Sequence, residues 1–176
     1  VKTKEQWLYA DSIYYEKEND IGEGFGCVIL IDTTQRIHYT GHYAYRNERE
    51  KKAIMFDQAL LRQYEGQDTL YIHADTLKIA SVKQLVKVPV KADSFNLQDT
   101  VVYRDTIDER SVINAYYGVK WKRNEMRGIC DSMYYAEVDS LLKMYGSPAM
   151  WNDSSQITGD TIYVKNFDGK TEGFQV

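Results

Sequence analysis

Residues 130–164, CDSMYYAEVDSLLKMYGSPAMWNDSSQITGDTIYV, decide the fold. A short phrase, Asp-(Ser/Thr)-apolar, occurs in them as Asp131-Ser132-Met133, Asp139-Ser140-Leu141 and Asp160-Thr161-Ile162. Asp, Ser and Thr favour turns through local side-chain to backbone hydrogen bonds, and the apolar residue that follows opens an extended run. Working outward, the phrase recurs at Asp11-Ser12-Ile13, Asp68-Thr69-Leu70, Asp75-Thr76-Leu77, Asp93-Ser94-Phe95, Asp99-Thr100-Val101 and Asp105-Thr106-Ile107. A repeated unit that ends a turn and starts a strand predicts many short strands stacked on one another, an all-β repeat protein. Each phrase is expected at a strand start or in the turn before it.

A longer, degenerate repeat supports this. Met144-Tyr145-Gly146-Ser147-Pro148-Ala149-Met150 aligns with Met55-Phe56-Asp57-Gln58-Ala59-Leu60-Leu61. An Asp-Thr-apolar-Tyr-apolar strand follows in both places, at 160–164 and 68–72. The expected organisation is a single domain over 1–176, with sub-repeats at 1–81 and 109–176.

Composition agrees with strands. Of the 176 residues 43% are hydrophobic, Tyr is abundant at 15 and Pro scarce at 2, which suits sheets. The formal charge of −4 and pI near 5.4 argue against a binder of nucleic acid or of an anionic membrane surface, functions that need clustered positive charge. Cys27 and Cys130 are too few for a disulfide scaffold and lack metal-ligand spacing. They read as two small buried residues, with a bridge as the alternative in an oxidising compartment. No stretch approaches the ~18 apolar residues of a membrane span. The start at Val1 and the stop in the strand-like run 173–176 read as a piece excised from a longer secreted chain, its targeting segment removed.

Along the chain, 7–15 is the first turn-plus-strand unit and 16–20 a charged connection. The glycines of 21–26 match a phosphate loop poorly, since Cys27 stands where a glycine is needed and no helix follows. They suit a bulge or tight turn. Residues 35–45 alternate and read as two strands meeting at Thr40-Gly41. His38 and His42 lie there four apart without an acidic partner to complete a metal site. In 47–67, Ala53, Phe56, Leu60, Leu61 and Tyr64 fall at helical spacing. The repeat alignment instead makes 52–56 and 59–63 two strands joined at Asp57-Gln58, and the repeat is the stronger reading. Residues 68–81 predict two strands with a turn near His73-Ala74; 82–108 predict short strands, with Pro89 at an edge. The alternating 119–123, VKWKR, is a small basic cluster that suits a solvated strand face, or a phosphate contact. No catalytic motif is present. Each Asp of the phrase has a structural explanation, so neither an enzyme nor a cofactor or metal is expected.

Alternate side chains of a strand share a face. Ile13 and Tyr15, Leu70 and Ile72, Leu77 and Ile79, Met133 and Tyr135, and Ile162 and Val164 therefore form stacked apolar columns. Such columns make either a dry core or a groove for apolar ligands. Tyr14, Tyr71, Tyr134 and Tyr163 fall on the opposite face, as in a carbohydrate-binding or adhesin-like solenoid.

The phrase ADSIYY, the run DTLYIHADTLK and above all 130–164 resemble the OstA-like proteins of the LptA/LptC/LptD-N-terminal superfamily. The resemblance lies in repeat rhythm over nearly the whole chain; a charged insertion at 46–52 and the ragged 82–108 depart from it. It implies an antiparallel β-jellyroll, or β-taco, folded into a slightly open V. It further implies a periplasmic lipopolysaccharide-binding and transfer module of a Gram-negative outer membrane, with acyl chains held along the ten column residues named above. The implied partners are lipopolysaccharide and Lpt-type proteins, met by strand pairing through the end strands near 8–15 and 161–176, with head-to-tail self-association. The alternative is a β-repeat scaffold that pairs through those ends and holds no lipid.

Overall fold

The computed structural model describes residues 6–34, 36–66, 68–90, 102–165 and 173–176. Their regular elements are all strands: β1 (Gln6–Tyr9), β2 (Ser12–Glu16), β3 (Ile21–Asp32), β4 (Ile37–Asn47), β5 (Lys52–Glu65), β6 (Asp68–Val90), β7 (Val102–Arg123), β8 (Met126–Ala136), β9 (Leu141–Tyr145), β10 (Ala149–Asn152), β11 (Ser155–Thr158), β12 (Thr161–Lys165) and β13 (Gly173–Gln175). All pair antiparallel in one sheet, in the order β1-β3-β4-β5-β6-β7-β8-β9-β12-β13. Strand β2 also pairs with β3, β10 pairs with β8, and β11 pairs with β10. The sheet does not close on itself.

A line of irregularities crosses this sheet and bends it. The register shifts between Phe25 and Val28 in β3, Thr40 and Tyr43 in β4, Phe56 and Ala59 in β5, His73 and Thr76 in β6, and Tyr116 and Val119 in β7. On the same line the chain is interrupted between β1 and β2, between β9 and β10, and between β11 and β12. A bulge adds an unpaired residue, turns the strand and increases its twist. Bulges aligned across neighbours therefore act as a fold line. One arm carries β1, β10, β11 and the matching halves of β3–β8; the other carries β2, β9, β12 and the remaining halves.

The Asp-(Ser/Thr)-apolar phrase marks this line more often than a hairpin. Asp11 and Asp160 sit between strands on it, and Asp75 and Asp131 sit on it within β6 and β8. Asp68 opens β6 and Asp139 lies in the turn before β9, as expected; Asp105 is inside β7, and the phrases at 93 and 99 fall outside the described residues. A corner needs what a turn needs, a local acceptor and a fresh strand start. The Asp11 carboxylate accepts the Cys27 N–H from the neighbouring corner at 3.1 Å. A side chain on Gly26 (φ 88°) would strike Asp11, and one on Gly146 (φ 77°) would strike the Asp131 Cβ at 2.5 Å. Both glycines combine a left-handed backbone with close approach.

Several expected strand pairs are single strands bent at the corner. Residues 37–47 form β4 throughout, 52–65 form β5, and 68–81 belong to β6. The proposed junctions at Thr40-Gly41, Asp57-Gln58 and His73-Ala74 fall at the fold line. The helical spacing in 47–67 also has its origin there. Asp57 and Gln58 both have positive φ, 58° and 57°, and bend the strand without changing its parity. Met55 faces inward before the corner, Ala59 and Leu61 after it, and Phe56 and Tyr64 face out. Apolar residues drawn from both faces of one bent strand imitate a period near four.

Beyond Ser81 and Ser111, among the described residues, β6 and β7 pair only with each other, out to Val90 and Val102. Within the expected short strands of 82–108, residues 82–90 and 102–108 are one projecting two-stranded ribbon, on which Leu85 and Ile107 are exposed and paired, and 91–101 fall outside the described residues. Pro89 is tolerated there because each strand of a ribbon is an edge. The charged insertion at 46–52 is smaller than it reads: 46–47 end β4, 52 begins β5, and 48–51 are a turn closed by Lys51 at φ 53°.

Candidate functional site

The pairing register arranges the inward side chains in rows perpendicular to the strands. In the β2 arm one row runs Ile13, Gly24, Ala44, Met55, Leu77, Ala115, Met133, Met144, Ile162. The next inward row runs Tyr15, Gly22, Arg46, Ala53, Ile79, Ile113, Tyr135, Leu142, Val164. In the β1 arm the main row runs Leu8, Leu30, Tyr39, Leu61, Ile72, Trp121, Gly128, Met150, Ile157. The column candidates lie in these rows, except Leu70, which lies in the next inward row of the β1 arm between Gln63 and Arg123.

The arms face each other and, through the middle, touch. Trp121 Nε1 donates to Met144 Sδ of the opposite arm at 2.9 Å. Gly128 opposite Trp121 is required by volume, since a Cβ there would lie 2.5 Å from the indole nitrogen. Leu70, Ile72, Leu77, Ile79, Met133, Tyr135, Ile162 and Val164 are at most 7% exposed and share one core cluster. Ile13 and Tyr15, at the edge of the sheet, are 36% and 49% exposed.

The rows open at that edge because their side chains shrink. Gly22, Gly24, Ala44 and Ala53 occupy inward positions next to the first strands. A cavity of about 410 Å³ lies between the arms there, lined by Leu30 and Tyr39 on one side, by Tyr15, Arg46, Ala53 and Ile79 on the other, and by polar residues that include Asp32, Lys52, Ser81 and Glu109. Its volume is in the range of small-molecule clefts, about 300–1,000 Å³. A smaller neighbouring space is lined by Leu8, Ile13 and Tyr15. The mouth therefore joins three of the candidates, Ile13, Tyr15 and Ile79, to Leu30, Tyr39, Arg46 and Ala53, which the phrase pattern does not single out. Alternation in 35–45 could have identified Tyr39; nothing local distinguishes an inward Arg46 from its charged neighbours.

The rim carries several ion pairs. Arg46 meets Glu48 at 2.6 Å, Lys51 meets Glu48 at 3.2 Å, and Arg49 meets Asp20 at 3.2 Å. The Glu48 N–H also bonds the Asp20 carbonyl at 3.0 Å, tying the β2–β3 turn to the β4–β5 turn. Burial alone would raise the Glu48 carboxyl, but Arg46 and then Lys51 outweigh it and hold it below the usual carboxylate range. Burial, reinforced by Asp32, pushes the Tyr39 phenol far up, so it is a neutral wall of the cavity. His42 bonds Asp57 at 3.0 Å and His73 bonds Gln58 at 3.2 Å, both along the fold line. His38 packs edge-on against Tyr64.

Four edges stay open among the described residues: β1 and β2 pair only with β3, β11 only with β10, and β13 only with β12. The family described as LptA/(LptD N-terminal domain) LPS transport protein matches residues 46–170, well over half of the chain. The chain belongs to this family. Among solved structures it is similar to LptH of Pseudomonas aeruginosa, the LptA homologous periplasmic component of the conserved lipopolysaccharide transport device, at TM-score 0.50 and 12% identity, over 74% of each chain. At that identity the likeness concerns the fold, and it places this OstA-like sheet among LptA-type jellyrolls. Comparison with curated proteins yields no match.

The cysteines divide between the surfaces of this jellyroll. Both are free; Cys27 is exposed at the β3 corner, against expectation, and Cys130 is buried on an inward position of β8. Burial first, offset by a bond from the Tyr145 backbone, pushes the Cys130 thiol up to about 12. The thiolate is the reactive form, so a maleimide at neutral pH should label one cysteine per folded chain, at Cys27. The second label should appear only on unfolding. Two equivalents of rapid labelling without denaturant, counted by mass spectrometry, would contradict this packing.

Proposed function

We propose that this chain is a periplasmic, non-enzymatic module that binds and passes on lipopolysaccharide, with acyl chains entering between the arms at the Tyr15–Ala53 mouth. The observation that carries this reading is the match to an LPS transport family combined with an apolar interior that meets, beside the sheet edge, a cavity of mixed polar and apolar lining. Each methylene transferred from water into such an interior contributes about 0.8 kcal/mol, so chains can be held without a charged site. The mixed rim of Arg46, Glu48 and Lys51 leaves a place for the anionic end near solvent. Of the ten column residues, Ile13, Tyr15 and Ile79 would meet the ligand first. Leu70, Ile72, Leu77, Met133, Tyr135, Ile162 and Val164 would line its path once the arms part. Neighbouring Lpt-type proteins, or second copies head to tail, would add strands to the β1–β2 edge and to β11 and β13.

Ala53→Trp tests this by filling the mouth from a half-buried position. Displacement of a fluorescent lipopolysaccharide should weaken at least about tenfold, a change near 1.4 kcal/mol, while the melting temperature stays within a few degrees. Unchanged affinity in a folded variant would overturn the mouth as the point of entry.

The Trp121–Met144 contact across a filled interior favours a second reading, a family member that acts as a strand-pairing scaffold and holds no lipid. Native mass spectrometry of protein purified from a Gram-negative host separates the two: co-purified lipid excludes the scaffold, and lipid-free protein with no affinity for added lipopolysaccharide excludes the carrier.

A further inference from the structure

The net charge of −4 conceals a segregation that the register makes visible. Acidic residues lie on the fold line, at Asp11, Asp57, Asp75, Asp131 and Asp160, at the mouth, at Asp20 and Glu48, and in turns such as those of Glu125, Asp139 and Asp153. The outward rows of the β1 arm are different. One runs Tyr9, Ile29, Thr40, Leu60, His73, Lys120, Ile129, Ala149, Thr158. The other runs Trp7, Ile31, His38, Arg62, Tyr71, Lys122, Arg127, Trp151, Gln156. Together they hold four fixed cations and no carboxylate.

These cations surround apolar surface. A shallow depression of about 350 Å³ is lined by Leu60, Tyr71, Lys120, Lys122, Ile129 and Trp151, together with Arg127 and His73. Tyr71 is 41% exposed and Ile129 46%. Arg127 lies over the Trp151 ring, 5.8 Å from its centroid. Among the described residues no carboxylate pairs with Arg62, Lys120, Lys122 or Arg127.

We propose that this outer face of the β1 arm docks on an anionic phospholipid bilayer, its cations at the phosphate level and Tyr71, Ile129 and Trp151 in the interface. Charge complementarity sets the sign of the partner: a face with cations and no anions attracts a negative surface even on an acidic protein, because screening beyond about 8 Å removes distant charges at physiological salt. The chemistry of the remaining side chains sets its kind. A glycan would need carboxylates or amides to accept its hydroxyls, and apart from the marginal Gln156 these rows offer none. Tryptophan and tyrosine beside lysine and arginine, with exposed isoleucine, suit the boundary between headgroups and acyl chains. Average charge does not decide the matter, because charges act over about a Debye length and these two rows carry cations without acids.

Sedimentation with vesicles tests the proposal, using phosphatidylglycerol mixed into phosphatidylcholine against phosphatidylcholine alone, both free of lipopolysaccharide, so that failure here leaves the carrier reading untouched. Binding should require the anionic lipid and fall as salt rises. Each membrane-facing cation is worth about 1 kcal/mol, or about fivefold, so Lys122→Glu/Arg127→Glu should weaken partitioning at least about twentyfold. Lys78→Glu/Lys143→Glu, on the outer face of the other arm, should leave it unchanged. All four positions point outward, and circular dichroism confirms that each variant is folded. Absence of anionic-vesicle binding at low salt, equal losses in both double variants, or full displacement by millimolar inorganic phosphate would each overturn the proposal.

Discussion

Ile72→Asp should leave the chain unfolded at room temperature. Ile72 is fully buried in the centre of the β1 arm, between Leu61 and Trp121 in the inward row. Losing the aliphatic side chain removes about 2–5 kcal/mol, and an uncompensated buried carboxylate adds about 3–5 kcal/mol. The buried cation in the adjacent row, Arg123, is engaged by Asp68 at 2.8 Å. The total, about 5–10 kcal/mol, is comparable to the 5–15 kcal/mol that holds a typical domain together. Ile162→Asp, fully buried in the opposite arm, should behave alike, whereas Ile72→Val should cost only about 0.5–1.5 kcal/mol. Urea titration followed by far-ultraviolet circular dichroism ranks the variants. A folded Ile72→Asp protein melting near the parent would show that the arms part freely in solution and that this row is a wet groove.

Trp121→Ala should be the next most damaging change, at about 3–5 kcal/mol. The indole spans the space between the arms, is 3% exposed, and donates its N–H to Met144 at 2.9 Å. Its neighbour Gly128 has no side chain with which to refill the void. Trp121→Phe keeps the wedge and loses the N–H, so it should recover more than half of that loss. Gly128→Val should destabilise as strongly as the alanine variant for the opposite reason, since its Cβ meets the indole at 2.5–3.0 Å. Thermal melts of the three report on one contact between the arms. Equal stability of Trp121→Ala and the parent would show that the arms are not held together there.

The long repeat was a sound guide at residue level. Met55 and Met144 both lie in one inward row, Phe56 and Tyr145 both face out, and the dipeptides after them, Asp57-Gln58 and Gly146-Ser147, both take positive φ at the fold line. Parity around the phrase was equally readable: Leu70 and Ile72 before Asp75, and Leu77 and Ile79 after it, are all inward. The sequence misled where a corner and a hairpin carry the same local chemistry. Asp75-Thr76 supplies an acceptor and a strand start whether the chain reverses there or only bends, so β4, β5 and β6 each read as two strands.

Local pattern alone therefore determined the all-β class and the inward residues of β6, β8 and β12, because these depend on spacing between neighbours along the chain. Tertiary structure decided the rest. Only the pairing of strands distant in sequence aligns the bulges into one fold line, brings Trp121 onto Met144, and sets Gly22, Gly24, Ala44 and Ala53 side by side so that the rows open at one edge. The same register separates Arg62, Lys120, Lys122 and Arg127 from the acids of the corner. A cavity and a charged face are sums over residues from many strands, and no single stretch of chain contains such a sum.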